Sequence, residues 1–308
     1  MSSLEGDGIG PPRSKRQHPG LPVLVTRAEW SFTSRDGAED GVVRVALDGG
    51  VATLVLDRPP RNALTSGFAD AILEALASCH ADVRVRAVVL TGAGDSFSVG
   101  ADLTRGPEAL RDLLDADGAD RPGYREPAGR VTEAMARLDV PVVAALGGDA
   151  VGGGATVALG ADVRVATPET RIGFPFTRLG VCPEGASTHH LPRVVGAGRA
   201  ADWLLSGRLV GAREAESAGF LTSTMDRDDL LPWAQEWAGT VAARTSPTAV
   251  AATKALLRAA PADAGAASEA ESRTIVELIR GPDCVEGVTA FLERRRPRFA
   301  PRVPGDER

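Results

Sequence analysis

Residues 141–154 read Pro-Val-Val-Ala-Ala-Leu-Gly-Gly-Asp-Ala-Val-Gly-Gly-Gly, an apolar run that ends in a cluster of glycines and passes into a short apolar segment. The pattern predicts a strand over 141–146 and a buried helix over about 155–159, joined through glycine. Glycine has no Cβ, so the backbone there can approach another group closely. A helix that begins just beyond points unpaired N–H groups at that group. This is the geometry of a cradle for an anion or oxyanion. One carboxylate follows in apolar surroundings: Glu184, between Pro183 and Gly185 and preceded by Phe174, Phe176, Leu179 and Val181. It is expected to be the acid or base beside the cradle, with Phe174 and Phe176 raising its pKa. The competing reading is a loop carboxylate that caps a helix N-terminus, a role Ser187 or Thr188 would share.

Upstream, two β-branched runs at 42–47 and 51–56, separated by Asp48-Gly49-Gly50, form a hairpin. Pro59 and Pro60 end the second strand. Thr65 or Ser66 caps a helix through about Ser78, and Phe68, Ile72, Leu73 and Leu76 give it one buried face. A strand over 84–91 leads into Gly92-Ala93-Gly94-Asp95-Ser96-Phe97-Ser98-Val99-Gly100-Ala101-Asp102-Leu103. A dinucleotide fingerprint would need glycine where Phe97 stands, and a nucleophile elbow at Ser98 would need glycine where Ser96 stands. What survives is a backbone donor loop around Gly100 and Ala101, or else an ordinary strand-to-helix turn.

Residues 106–123 are polar, with a short helix at Leu110, Leu113 and Leu114, and suit a flap over a site. A helix over about 126–139, the strand at 141–146 and a strand at 163–166 complete an alternation that indicates α/β architecture. From Ser187 onward helices dominate, over 197–206, 211–218, 228–244, 247–260, 265–280 and 283–295, with an extended run at 220–224. The expected organisation is a flexible extension over 1–40, an α/β core over 41–225 and a C-terminal helical region over 226–308.

Composition excludes several classes. No apolar run reaches the ~18 residues of a membrane span, and the polar N-terminus suggests neither anchor nor secretory signal, so a cytoplasmic protein without membrane contact is expected. A net charge of -6 argues against general affinity for nucleic acid. Cys79, Cys182 and Cys284 form no disulfide framework or zinc pattern, and His18, His80, His189 and His190 lack metal-binding spacing. No metal or separate cofactor is expected.

Taken in order, Arg61-Asn62-Ala63-Leu64, Leu90-Thr91-Gly92-Ala93-Gly94, Phe97, Ser98-Val99-Gly100-Ala101-Asp102-Leu103, Ala150-Val151-Gly152-Gly153-Gly154, Leu179-Gly180-Val181 and the run at 291–297 resemble the crotonase superfamily, the enoyl-CoA hydratases and isomerases. The resemblance spans about residues 42–300. It implies a spiral of ββα units with a C-terminal helical region, assembled as a homotrimer or a dimer of trimers, that binds an acyl-CoA thioester. The N–H groups of Ala101 and Gly153 would hold the thioester oxygen as it becomes an enolate. Arg61, Ala63 and Leu64, together with Gly100, Asp102 and Leu103, would lie along the coenzyme A, with Gly152 and Phe176 also at the bound substrate.

Departures from the family pattern bear on the chemistry. The positions of the two hydratase glutamates hold Thr156 and Phe176, which makes the chain a poor hydratase. The segment from Phe176 to Gly185 is similar to the peroxisomal-type Δ3,Δ2-enoyl-CoA isomerases, whose base is the glutamate matching Glu184. The expected reaction is therefore a shift of a 3-enoyl-CoA double bond to the 2-position, coenzyme A entering only as part of the substrate. Two alternatives stand beside it: a hydratase or other crotonase-type lyase acting on an unusual acyl-CoA, and a non-catalytic acyl-CoA-binding protein. Asp102 is expected to serve its loop as a hydrogen-bond acceptor, and Thr156 to satisfy its hydroxyl locally.

Overall fold

The computed structural model of the chain describes residues 28–37, 40–111, 120, 122–259 and 263–303. Half of the expected flap and most of the expected N-terminal extension lie outside these residues. Strands β2 (Val42–Asp48) and β3 (Val51–Asp57) pair antiparallel through Gly49 and Gly50. Both glycines have positive φ, 55° and 85°, as the tight hairpin turn requires.

Order begins earlier than the hairpin, which corrects the expectation of a flexible segment up to residue 40. Strand β1 (Ala28–Thr33) pairs along its length with β2. Ala28, Trp30 and Phe32 pack on the core while Glu29, Ser31 and Thr33 face outward. An edge strand with one covered face needs only that alternation, and its polar half disguises it as linker.

After helix α1 (Ser66–Ala81), capped by the Thr65 hydroxyl on the Phe68 N–H, the chain alternates between two sheets. Strand β4 (Ala87–Gly92) joins a large sheet and β5 (Ser96–Ser98) a small one; helix α2 (Pro127–Arg137) follows. Strands β6 (Val142–Leu146) and β7 (Asp149–Val151) repeat the move before helix α3 (Gly153–Gly160). Strands β8 (Val163–Ala166) and β9 (Arg171–Gly173) repeat it again, followed by a 3-10 turn (Pro175–Leu179), helices α4 (Ser187–Val195) and α5 (Ala197–Ser206), strand β10 (Leu209–Gly211) and helix α6 (Ala212–Ser217). With β11 (Ser223–Thr224), the sheets run β1-β2-β3-β4-β6-β8-β11 and β10-β9-β7-β5. This is the crotonase-like spiral of ββα units. Three of the four strands of the small sheet, β5, β7 and β9, carry the chain away from a strand of the large sheet toward the next helical segment, and β10 closes the edge from between α5 and α6.

The central strands β4 and β6 are almost wholly apolar because both faces of the large sheet are covered there. Val88, Leu90, Val142, Ala144 and Leu146 face α1 and the main core, which also holds Phe68, Ile72 and Leu76. Their neighbours Ala87, Val89, Val143 and Ala145 face Leu230, Ala234, Ala238 and Ala242 of helix α7 (Arg227–Arg244). Helix α8 (Pro247–Ala259) is tied to the core by Lys254, whose buried ammonium donates to the carbonyls of Met135 and Val140 and pairs with Asp162 at 3.0 Å. Helices α9 (Ala264–Arg280) and α10 (Pro282–Leu292) bury almost nothing: Ile275, Ile279, Phe291 and Leu292 are exposed. Among the described residues no helix is long and apolar enough to cross a membrane.

Candidate active site

Two loops meet where the small sheet turns back to the helices. Asn62, buried at φ 53°, pins the first: its amide donates to the carbonyls of Ala93 and Ser96 at 2.9 Å, and its Oδ1 accepts from the Arg58 N–H. The Ser98 hydroxyl donates to the Asn62 carbonyl at 2.7 Å. The Leu64 N–H donates to the Gly100 carbonyl at 2.7 Å, forming a parallel bridge between Leu64 and Ala101. In that register the bridge uses the amide of Leu64 and not that of Ala101. Asp102 accepts from the Thr104 N–H and hydroxyl and from Arg58 at 2.8 Å, so it is an acceptor for its loop. These bonds, the Thr104 hydroxyl first, hold its pKa below the usual carboxylate range. Arg61 sits at the rim beside Asp149, and Leu103 is exposed.

The second loop is the glycine turn into α3. Gly152 has φ 57° and donates its N–H to the Gly173 carbonyl, and Gly153 opens the helix, where an amide has no partner within the helix itself. The two loops interlock at backbone distance. A Cβ on Gly100 would lie 2.6 Å from the Gly153 nitrogen, and one on Gly154 would lie 2.1 Å from the Ser98 carbonyl oxygen. Only glycine allows this approach. Thr156, fully buried, donates its hydroxyl to the Gly152 carbonyl, so no carboxylate stands at that position.

Glu184 reaches the same point from the far side. A Cβ built on Gly153 would meet Glu184 Oε1 at 2.9 Å, Ala128 Cβ at 3.1 Å and Leu64 Cδ1 at 3.2 Å. The carboxylate thus faces the start of α3 across a gap that only glycine leaves open. Its main chain is fixed by Ser187, whose N–H and hydroxyl both donate to the Glu184 carbonyl. No side chain caps α4, whose N-cap is Ala186, so the helix-capping reading of Glu184 does not hold.

A cavity of about 420 Å³ opens beside this carboxylate, lined by Arg125, Glu126, Gly129, Thr132, Glu133, Ala136, His190 and the 183–186 turn. Burial, and then the charge of Glu126, push the Glu184 pKa up to about 7. The expected cause was an aromatic neighbourhood, and the structure corrects it. Phe174 and Phe176 belong to the main core, and neither lines the cavity. Of the residues nominated from sequence, Glu184 lines the cavity, Gly153 faces its carboxylate, Leu64 packs beside that same glycine, and Gly100, Ala101 and Gly152 join them through the backbone. Ala63 is buried within its loop.

Sequence reasoning missed Glu126 and the face of α2 behind it. The available signal was spacing: 126, 129, 133 and 136 recur at helical period, two of them small enough to leave room.

Residues 47–302 match the family model described as enoyl-CoA hydratase/isomerase. The chain belongs to the enoyl-CoA hydratase/isomerase family. It is 38% identical over 257 residues to a putative enoyl-CoA hydratase of Thermus thermophilus, covering 82% of this chain and 98% of that one. It is 34% identical to an enoyl-CoA hydratase of Alternaria alternata, covering 81% and 83%. Among solved structures, a putative enoyl-CoA hydratase from Streptomyces coelicolor A3(2) superimposes with a TM-score of 0.75 at 36% identity, covering 84% of this chain and 94% of that one. The family description joins hydration with isomerisation, and both reactions handle a proton next to a thioester carbonyl. A hydratase/isomerase fold with one carboxylate against the glycine turn and a second carboxylate lining the same cavity is what this chain offers that chemistry.

Proposed function

We propose that the chain shifts the double bond of a 3-enoyl-CoA thioester to the 2-position. The observation that carries this reading is the Glu184 carboxylate facing the start of α3 with a pKa near 7. At neutral pH such a group is present in both protonation states, the condition under which one residue can take a proton and return it. Ionised Glu184 removes a proton from C2, and the electrons move into the carbonyl to give a thioester enolate. The N–H groups of Ala101 and Gly153 hold the enolate oxygen, each such donor contributing about 2.7–4 kcal/mol where one has been removed from other enzymes. Protonated Glu184 then delivers its proton to C4, and the double bond settles between C2 and C3. The coenzyme A portion lies along Arg61, Ala63, Leu64 and Gly100 to Leu103; no cofactor enters the balance.

The test is a spectrophotometric assay of 3-enoyl-CoA thioesters of several chain lengths. Glu184→Gln is expected to lower the rate about 10²- to 10⁴-fold, the usual span for a lost general base. Conversion that survives the substitution takes Glu184 out of the mechanism.

One observation favours a second reading, hydration of a 2-enoyl-CoA. Water addition uses two proton-handling groups, and Glu126 supplies a second carboxylate on the cavity wall. Loss of crotonyl-CoA absorbance without a 3-enoyl substrate, abolished in both Glu184→Gln and Glu126→Gln, would select it.

A further inference from the structure

Glu126 occupies the N-cap position of α2, in extended backbone at φ -62° and ψ 158°. A side chain there ordinarily accepts from an amide of the helix's own first turn. This one makes no such bond. Its Oε1 instead accepts the N–H of Gly185, 59 residues away, at 2.5 Å. Gly185 is itself wedged. It stands at φ +57°, and a Cβ on it would lie 2.2 Å from Thr156 Cγ2 and 3.5 Å from the Gly129 Cα. The residue that follows Glu184 is therefore gripped between α2 and α3 and bonded to a carboxylate.

The charged and titratable groups around the cavity come from two elements. Arg125, Glu126 and Glu133 lie on or just before α2, and His190 lies on α4. Arg125 is exposed and donates to the Tyr124 carbonyl, while Glu133 is paired with Arg137. Burial, and then the neighbouring His189, Arg258 and Arg193, lower the His190 pKa and so disfavour a charged imidazole. Glu126 is left as the charge that bears on Glu184.

We propose that Glu126 is a positioning residue for Glu184: its carboxylate, fixed on the Gly185 amide, holds the Pro-Glu-Gly turn in place and sets by its charge how readily Glu184 releases and recovers a proton. The inference rests on the reading of Glu184 as the base. A helix N-cap has been diverted from its own helix to the turn that carries that base, so the orientation of α2 and the properties of Glu184 are coupled through one hydrogen bond.

Two substitutions separate bond from charge. Glu126→Gln keeps an oxygen acceptor for the Gly185 N–H and removes the charge; Glu126→Ala removes both. The ionisation of Glu184 is followed by ¹³C NMR on protein labelled at the glutamate carboxyls, its signal assigned by its loss in Glu184→Gln. In Glu126→Gln the Glu184 midpoint is expected to fall by about one pH unit, with the acid limb of kcat/KM moving alongside it. In Glu126→Ala, kcat is expected to drop about tenfold further at unchanged KM as the turn loosens, a penalty that Glu126→Gln largely rescues. An unmoved Glu184 midpoint in Glu126→Gln overturns the proposal and leaves Glu126 a purely structural acceptor. The NMR arm needs no turnover. A shifted midpoint in a protein that converts no 3-enoyl-CoA would sink the proposed reaction and leave this inference standing.

Discussion

Burial pushes the Glu184 pKa up from about 4.5 to about 7 in the folded chain, and that same burial, on which its proposed role as a base rests, works against folding once it is charged. Below pH 4.5 it is protonated in both states and contributes no penalty. Between 4.5 and 7 the folded state still holds a proton that the unfolded state has lost, so stability falls as pH rises through that window. Above 7 the loss levels off at a value on the order of 3 kcal/mol. Glu184→Gln removes the ionisable group while keeping its shape. The variant is expected to melt at nearly the same temperature as the wild type at pH 4.5 and several degrees higher at pH 8. Scanning calorimetry at the two pH values checks this; an equal difference at both would show that the carboxylate carries no burial penalty. Activity and stability should therefore part at this one residue.

At the scale of elements, the site depends on how closely the Ser98–Ala101 loop and the first turn of α3 can approach. The Cβ of an alanine at 154 would stand 2.1 Å from the Ser98 oxygen and 2.6 Å from its carbon, and neither backbone atom can rotate away. Gly154→Ala is expected to cost about 1–3 kcal/mol in urea unfolding and to depress turnover beyond what the lost stability explains, because the cradle amides move with the loop. Gly239 provides the contrast. It lies inside α7, and a Cβ on it meets nothing within 4 Å. Gly239→Ala is expected to stabilise the chain by about 0.5–1 kcal/mol with turnover unchanged. If both substitutions behaved alike, helix propensity rather than loop contact would govern position 154.

For the whole molecule, the C-terminal helices divide into a part that is anchored in the core and a part that, among the described residues, buries little against it. Lys254 on α8 ties the end of α2 to the end of α3: it bonds the Met135 and Val140 carbonyls and pairs with Asp162, which Arg258 also holds at 2.8 Å. Lys254→Met would leave both carbonyls and half the charge of Asp162 unanswered. The expected loss is about 3 kcal/mol by denaturant titration, at the lower end of the range for a broken buried pair because Arg258 remains. Beyond α8, the exposed apolar side chains of α9 and α10 include Ile275, Val276, Ile279, Val288, Phe291 and Leu292. Several large apolar side chains left exposed on two neighbouring helices are a feature of interaction sites. The trimer or dimer of trimers that the family resemblance implies would cover them, and sedimentation equilibrium is then expected to give three or six times the 31.9 kDa of one chain.

How much of this was legible beforehand follows from which interactions are local. The hairpin, the long strands and nearly every helix could be read in the sequence, because β-branched runs, helical spacing and Gly or Pro at the joins are set by backbone sterics within a few residues. The glycines at 100 and 152–154 and the lone carboxylate of Pro183-Glu184-Gly185 could be read as well, since each stands out against its own neighbours. The small sheet could not: strands of three residues, such as β5, β7 and β9, are too short to show a period, and they exist because their partners bring them together. Strand β1 was hidden for a related reason, as an edge strand shows apolar residues on one side only. The role of Glu126 was hidden for the strongest reason. The helical spacing of 126, 129, 133 and 136 marks a face of α2, but it does not say that the carboxylate there will bond Gly185 and raise the pKa of Glu184. That contact is made by the packing of α2 against α3 and the turn before α4, and only the folded chain decides it.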